Sequence, residues 1–184
     1  MATTAPITTA EGNVVQPPMT LGERLALWRK LMQEVNPPEG QRLDTIGKWI
    51  VMTRAIVFPM TLWSGTIGAV LALEVARRSA VPIAIDWIGV VLAIVGLIIA
   101  HAANNLINDY FDMTGGVDTE GYFRALYAPH PILSGWVSKA TLRNAMIGLT
   151  VIDGLIMLVL AARSPQPLLI VAFRPGPGDQ PSIL

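Results

Sequence analysis

The 184-residue sequence has no cysteine and only two histidines. The lack of thiols excludes disulfides, thiolate metal sites and a cysteine nucleophile. Charged residues make up 14% of the chain, where a soluble domain typically has about 25%, and the formal net charge is zero. No overall positive field therefore favours a nucleic-acid partner, and none is expected. The low charge also argues against an ordinary soluble domain.

Two sequence signals are missing as well. The first twenty residues have no positive cluster followed by an apolar core, so no cleaved signal peptide is expected, and residues 1–20 are predicted to be a disordered tail. No glycine-rich Walker loop is found, which argues against nucleotide hydrolysis. Apolar residues, in contrast, make up 52% of the chain, and its mean hydropathy is +0.51. These values predict a membrane protein.

An amphipathic segment precedes the long apolar runs. Residues 21–35 place apolar side chains at helical spacing with charged residues mostly between them, which predicts a short amphipathic helix. Such a helix can lie on the bilayer surface or pack against the protein's own helices, and the sequence leaves both uses open. The stretch NPPEG at 36–40 ends the helix.

Three apolar runs match the roughly 20 residues needed to cross a bilayer. They predict membrane spans at 55–75, 82–104 and 145–162. Residues 174–184 are expected to be a disordered or aberrant tail. The predicted fold class is therefore all-α, a multi-span transmembrane helical protein.

Individual residues in these spans carry further expectations. Pro59 is expected to kink the first span, and Gly65, Gly68 and Ala69 offer a small face that a neighbouring helix can approach. Asp153, deep in the third span, is expensive in hydrocarbon and is expected to face other helices or a wet cavity.

The lysines and arginines are distributed unequally between the two sides of the membrane. With the amino terminus inside, nine lie on the cytoplasmic side and four on the other, which predicts a multi-pass protein of the cell (inner) membrane with a cytoplasmic amino terminus. The loop after the second span then faces the cytoplasm. The nine are Arg24, Arg29, Lys30, Arg42, Lys48, Arg54, Arg124, Lys139 and Arg143; the four are Arg77, Arg78, Arg163 and Arg174.

The second span ends in a polar stretch at residues 101–118, HAANNLINDYFDMTGGVD. On a helix, one stripe carries its five members His101, Asn105, Asn108, Asp109 and Asp112. Such a stripe at the membrane end of an apolar helix is costly unless it lines a cavity or has partners, so it is a functional candidate. The simpler interpretation is a solvated helix end.

The residue types in this stretch favour a hard metal ion. Carboxylate and amide oxygens suit Mg²⁺, which commonly bridges one or two carboxylates to substrate phosphates. Gly115 and Gly116 release the chain so that Asp118 can fold back towards the stripe. A phosphate-bearing ligand at a membrane surface indicates a lipid diphosphate. His101 could be a ligand or base, but a lone histidine near a helix end is more often a hydrogen-bonded structural residue.

Three stretches resemble one family. NDYFDMTGGVDT at 108–119 resembles the aspartate-rich motif of the UbiA superfamily of intramembrane prenyltransferases, and is most similar to its menaquinone-type members, the 1,4-dihydroxy-2-naphthoate polyprenyltransferases. HPILSGWVS at 130–138 resembles the loop before the family's third helix, and KWIVMTRAIVFPMTLW at 48–63 resembles its first-helix entry. Two features depart from the family: Asp118 lies further from Asp112 than in the ubiquinone-type motif, and His130 stands where the family ordinarily has arginine.

The resemblance implies Mg²⁺-dependent transfer of a polyprenyl group from an allylic diphosphate to an aromatic acceptor such as a dihydroxynaphthoate, as in quinone biosynthesis. The resemblance also implies that residues 48–173 form a partial transmembrane domain of this family. The family has further helices and a second aspartate-rich motif, so this chain is expected to be an amino-terminal part of the family bundle and inactive alone. The alternative is a non-catalytic small membrane subunit whose acidic helix end binds an ion or a partner. The residues implied to bind Mg²⁺ are Asp109, Asp112 and Asp118, and those implied to bind the diphosphate are Arg54, Asn105, Asn108 and Arg124.

Overall fold

The computed structural model is a helical bundle with one short pair of two-residue strands, which confirms the predicted all-α transmembrane fold class. It describes residues 7–8, 14–15, 18–34, 41–80, 84–115 and 132–164. Three segments are long and apolar enough to cross a membrane: Ala55–Arg78, Trp87–Thr114 and Lys139–Arg163. The helices are α1 Leu21–Leu31, α2 Thr45–Met52, α3 Phe58–Arg78, α4 Trp87–Thr114 and α5 Lys139–Arg163, with a 3-10 turn at Ala55–Val57.

Two strands of two residues each lie in the segment predicted to be a disordered tail. Strand β1 is Ile7–Thr8 and β2 is Val14–Val15, and they pair antiparallel with Ile7 opposite Val15. All four residues are β-branched, which favours extended backbone. The rest of residues 1–17 lies outside the described part of the chain, so disorder there stays a prediction.

Helix α1 begins at a capping box and packs on α2. The Thr20 hydroxyl accepts a hydrogen bond from the Glu23 backbone N–H at 3.3 Å, and the Glu23 carboxylate accepts one from the Thr20 N–H at 2.8 Å. Leu27 and Leu31 are buried against Gly47 of α2, where an added Cβ would lie 3.1 Å from Leu31 Cδ1. One face of the predicted amphipathic helix therefore packs on the protein itself.

Helix α3 begins at Phe58, so the expected kink at Pro59 is wrong. Pro59 lies in the first turn, where the missing N–H has no intrahelical partner to lose and the fixed φ suits a helix start. The irregular backbone precedes the proline, in the 3-10 turn Ala55–Val57. Pro59 therefore marks where the regular helix starts.

Of the small residues expected to face a neighbouring helix, Gly65 does so and Gly68 does not. An added Cβ on Gly65 would lie 2.8 Å from Ile94 Cγ1 of α4, whereas one on Gly68 would meet nothing within 4 Å. Gly65 therefore lies at the close approach of α3 and α4, and Gly68 faces away from the bundle.

Helices α4 and α5 run antiparallel, with contacts between them at the end of the bundle and in its middle. Asp86, just before α4, pairs with Arg163 at the end of α5, and in the middle of the bundle Gly96 faces Asp153 and Ile156. An added Cβ on Gly96 would lie 3.2 Å from Ile156 Cγ2 and 3.5 Å from Asp153 Oδ1. The expectation that Asp153 faces another helix is confirmed, since its carboxylate lies over the backbone of α4.

The largest buried side chains lie together at one end of the bundle. Met52 of α2, Leu106 of α4 and Leu142 of α5 form a cluster, against which half-buried Trp49 and Trp136 pack. Along most of α3 and α5 the large apolar side chains point outwards, as expected for helices surrounded by lipid. The tightly packed end therefore fixes where α2 meets α4.

Helix α4 is longer than the hydrocarbon layer that it would cross. Its 28 residues extend about 42 Å at 1.5 Å per residue, against a hydrocarbon core of about 30 Å. It continues well past the predicted end of the second span, at residue 104. The extra turns carry Asn105, Asn108, Asp109 and Asp112, which places these residues at or beyond the edge of the apolar layer.

Candidate functional site

Two buried polar side chains lie one turn apart near the end of α4. Asn105 is 6% exposed and Asp109 is 5% exposed, and within the described residues they are the only buried polar or charged ones. Burying an amide and a carboxylate is unfavourable unless both have partners. Their partners therefore define the site.

Arg54 binds both of them. Its Nη1 donates to Asn105 Oδ1 at 3.2 Å, and its Nη2 donates to Asp109 Oδ1 at 3.0 Å. Asn105 in turn donates through Nδ2 to the Thr53 carbonyl at 2.9 Å. The fork of the guanidinium thus spans two positions of α4 and ties them to the segment that follows α2.

The backbone at Arg54 is in the left-handed region, with φ 53° and ψ 46°. A non-glycine residue adopts this conformation at a cost of about 1 kcal/mol or more. The Arg54 carbonyl accepts from the Val57 N–H at 2.9 Å, which starts the 3-10 turn. Since this turn connects α2 to α3, the residue with the strained backbone is also the one whose side chain reaches α4.

His101 lies one turn before Asn105 on the same stripe. Its Nδ1 is hydrogen-bonded to Thr61 Oγ1 at 2.8 Å, and Phe58 packs edge-on against its ring with 5.9 Å between centroids. Both partners belong to the first turns of α3. The half-buried imidazole therefore helps to hold α3 on α4 beside the polar pair.

The remaining predicted residues are placed less centrally. Asn108 is exposed and Asp112 is half-buried, further along α4 towards its end. Asp118 and Arg124 lie outside the described residues. The structure thus brings together Arg54, Asn105 and Asp109 from the predicted set.

A lysine not predicted for the site lies next to it. Lys139, the first residue of α5, places its ammonium 5.6 Å from the centre of the Tyr110 ring, an arrangement favourable for a cation. Tyr110 follows Asp109 directly, so Lys139 adds positive charge at this end of the bundle. The signal in the sequence is Ser138, which caps α5 by accepting from the Thr141 N–H at 3.0 Å and so fixes where the helix begins.

The residues at this end could supply part of a Mg²⁺ site. Asp109 and Asp112 are three residues apart on a helix and are therefore neighbours on its surface. Their carboxylates, with the amide oxygens of Asn105 and Asn108, are hard oxygen donors of the kind that Mg²⁺ takes. Within the described residues, however, no group of three histidine or acidic side chains is close enough to hold a metal ion. A complete ligand set would have to include Asp118 or water.

A second ion pair lies at the opposite end of the bundle. Arg163 donates to both oxygens of Asp86 at 2.8 Å, and this bidentate hydrogen bonding lowers the pKa of the Asp86 carboxyl from 3.8 to about 2. Asp86 precedes the amino end of α4 and Arg163 lies at the carboxyl end of α5, so both charges also suit the helix dipoles.

The Asp86–Arg163 pair should make stability pH-dependent in a narrow range. Because the folded pKa lies below the unfolded one, the ionised carboxylate stabilises the fold above about pH 4, and this contribution is lost as the pH falls towards about 2. The melting temperature of the wild type should therefore fall more steeply over this range than that of Asp86→Asn. Parallel melting curves of the two proteins would contradict the predicted pairing.

No family model, curated protein or solved structure matches the chain. The resemblance to the UbiA superfamily thus rests on the three quoted stretches.

Proposed function

We propose that this chain binds a polyprenyl diphosphate with Mg²⁺ at the cytoplasmic surface of the cell (inner) membrane, as the amino-terminal part of a UbiA-type prenyltransferase bundle. The observation that carries the proposal is the buried Arg54–Asn105–Asp109 network at the end of an apolar helix. A ligand with an apolar tail and an anionic head suits such a location, because the tail can lie along the helices while the head reaches the charged residues.

The proposed roles follow from the chemistry of the side chains. Asp109 and Asp112, together with Asp118, would hold Mg²⁺, which supplies Lewis-acid assistance to a departing diphosphate. Arginine and amide groups would bind the diphosphate oxygens, since the planar guanidinium matches phosphate geometry. The diphosphate-binding residues are Arg54, Asn105, Asn108 and Arg124.

Ligand binding would have to rearrange the present network. Arg54 already neutralises Asp109, with 3.0 Å between Nη2 and Oδ1. On binding, Asp109 would exchange the guanidinium for the metal ion, and Arg54 would turn its donors towards the diphosphate. The pair thus keeps a buried carboxylate neutralised until the ligand arrives.

In a complete bundle, the allylic group would pass to an aromatic acceptor such as a dihydroxynaphthoate. The apolar faces of α3 and α4 would shield the allylic cation from water. The orientation rests on the excess of lysine and arginine at the end of the bundle that carries the network.

Binding of geranylgeranyl diphosphate to the purified chain in nanodiscs tests the proposal. We expect binding that needs Mg²⁺. We expect Asp112→Ala to weaken it about tenfold or more, since the interaction of a charged carboxylate contributes roughly 1.5–3 kcal/mol to the binding free energy. The matched control is Glu74→Gln, because Glu74 pairs with Arg78 near the other end of the bundle. Unchanged affinity in Asp112→Ala would refute the assigned role.

A second candidate is a non-catalytic membrane subunit whose acidic helix end binds an ion or a partner. The internal pairing of Arg54 with Asp109 favours it, since the network is already neutral. Failure to bind the diphosphate with or without Mg²⁺ would leave this candidate standing.

A further inference from the structure

Helix α1 has two apolar faces, and only one of them packs on α2. Leu27 and Leu31 are buried there, whereas Leu21, Leu25 and Met32 are 69%, 53% and 38% exposed. At 100° per residue the three exposed side chains fall within an arc of about 40°. They form one continuous apolar stripe, which is turned about 100° or more away from the buried face.

The charges of α1 are arranged around this stripe. Arg24 lies about 60° to one side of it and Arg29 about 40° to the other, whereas Glu23, Lys30 and Glu34 lie on the opposite side of the helix. Lys30 is paired with Glu34 at 3.9 Å, and Glu23 caps the helix through Thr20. Within the described part of the chain, neither flanking arginine is in an ion pair. Both are therefore available to an anionic partner.

The rotational orientation of α1 about its own axis is fixed by hydrogen bonds to Asp44. Trp28 Nε1 donates to both carboxylate oxygens of Asp44, at 3.0 and 3.1 Å, and Asp44 also caps α2 by accepting from the Gly47 N–H at 2.7 Å. Since Met52 at the end of α2 lies in the core cluster, α1 is tied to the membrane bundle through a short rigid path. The stripe is thus presented in a defined direction close to the end of a membrane span.

We propose that this surface, the α1 stripe with Arg24 and Arg29, docks on the headgroup layer of an anionic bilayer. Leucine and methionine side chains would enter the boundary between headgroups and acyl chains, and the two arginines would extend sideways to lipid phosphates. The arrangement of free positive charge on both sides of an apolar stripe is what an anionic interface requires. A second copy of this chain fits less well, because the arginines of two stripes would then face each other.

Labelling at single cysteines tests the proposal, since the native chain has none. An environment-sensitive fluorophore is attached to Leu25→Cys on the stripe or to Ala26→Cys, which is exposed and lies about 120° around α1 from the centre of the stripe. The full chain is reconstituted in vesicles of phosphatidylcholine alone or with phosphatidylglycerol. We expect the label at position 25 to enter an apolar environment in the anionic vesicles, and the label at position 26 to remain in water.

The charge requirement is tested by adding Arg24→Gln and Arg29→Gln to the Leu25→Cys protein. Loss of both arginines should lower the docked-to-free ratio about thirtyfold in anionic vesicles. Equal environments at positions 25 and 26, or equal burial at position 25 in both lipid mixtures, would overturn the proposal. Burial that follows protein concentration instead of lipid composition would also overturn it, in favour of a second copy.

Discussion

Replacing Arg54 with alanine should lower the free energy of unfolding by about 3 kcal/mol, the low end of the range for breaking a buried ion pair. The low end applies because the Arg54 side chain is 39% exposed, whereas that of Asp109 is 8% exposed. The change removes the guanidinium from a buried carboxylate and from the Asn105 amide at once. Equilibrium unfolding in mixed micelles measures the loss.

Three further variants separate the causes of this effect. Asp109→Asn should cost less, because the charge that it leaves behind can reach solvent. The double variant Arg54→Ala with Asp109→Asn should lose less unfolding free energy than the two single losses added together. The difference is the coupling energy of the pair, which a double-mutant cycle measures directly. Arg54→Gly should be less destabilising than Arg54→Ala by about 1 kcal/mol, since glycine adopts a φ of 53° without strain.

The matched control is Arg78→Ala. Arg78 also pairs with a carboxylate, but it lies on the surface, where the side chains of the pair are 80% and 44% exposed. Such pairs contribute about 0–1 kcal/mol. If Arg78→Ala and Arg54→Ala lowered the unfolding free energy equally, the buried network would have no special structural role.

Gly65→Leu should lower the free energy of unfolding by about 2 kcal/mol relative to Gly68→Leu. Gly68 lies one turn further along the same helix. At Gly65 an added Cβ would approach Ile94 Cγ1 to 2.8 Å and Ile94 Cβ to 3.6 Å, so α3 and α4 would have to separate. Overpacking of this kind costs about 1–3 kcal/mol.

Gly68→Leu controls for helix propensity. Both substitutions gain similar backbone stability, because glycine is about 1 kcal/mol worse than leucine inside a helix. At Gly68 no atom lies within 4 Å of the added Cβ, so the gain should appear there without a packing cost. Similar unfolding free energies for the two variants would contradict the α3–α4 contact described above.

The sequence predicts the long helices well because each long apolar run comes close to the roughly 20 residues that cross a bilayer. The polar stripe was expected to continue on a helix beyond the second span, and α4 does continue to Thr114. The sequence predicts the effect of a single residue less well. Pro59 was expected to kink the first span, but it lies in the first turn of α3, and its effect depends on where the helix starts.

The polar stripe of the candidate site is also visible in the sequence, but its pairing is not. Periodicity places Asn105, Asn108 and Asp109 on one side of α4, but it does not show that Asn108 is exposed while the other two are buried and bonded to Thr53 and Arg54. Arg54 is 51 residues from Asn105 and 55 from Asp109 along the chain. Its left-handed backbone has no local signal such as glycine, so the direction of its side chain could not be read from the sequence.

The position of the core cluster has a consequence for the dynamics of the bundle. Met52, Leu106 and Leu142 pack at the end that carries the polar network, whereas at the far end the described ion pair between α4 and α5 is the exposed Asp86–Arg163 contact. Local opening requires least free energy where few apolar contacts are broken. Amide exchange should therefore be graded along the membrane normal, with α4 and α5 separating first at the end remote from Arg54. Transient gaps at that end would let lipid chains enter between the helices while the polar residues keep their positions.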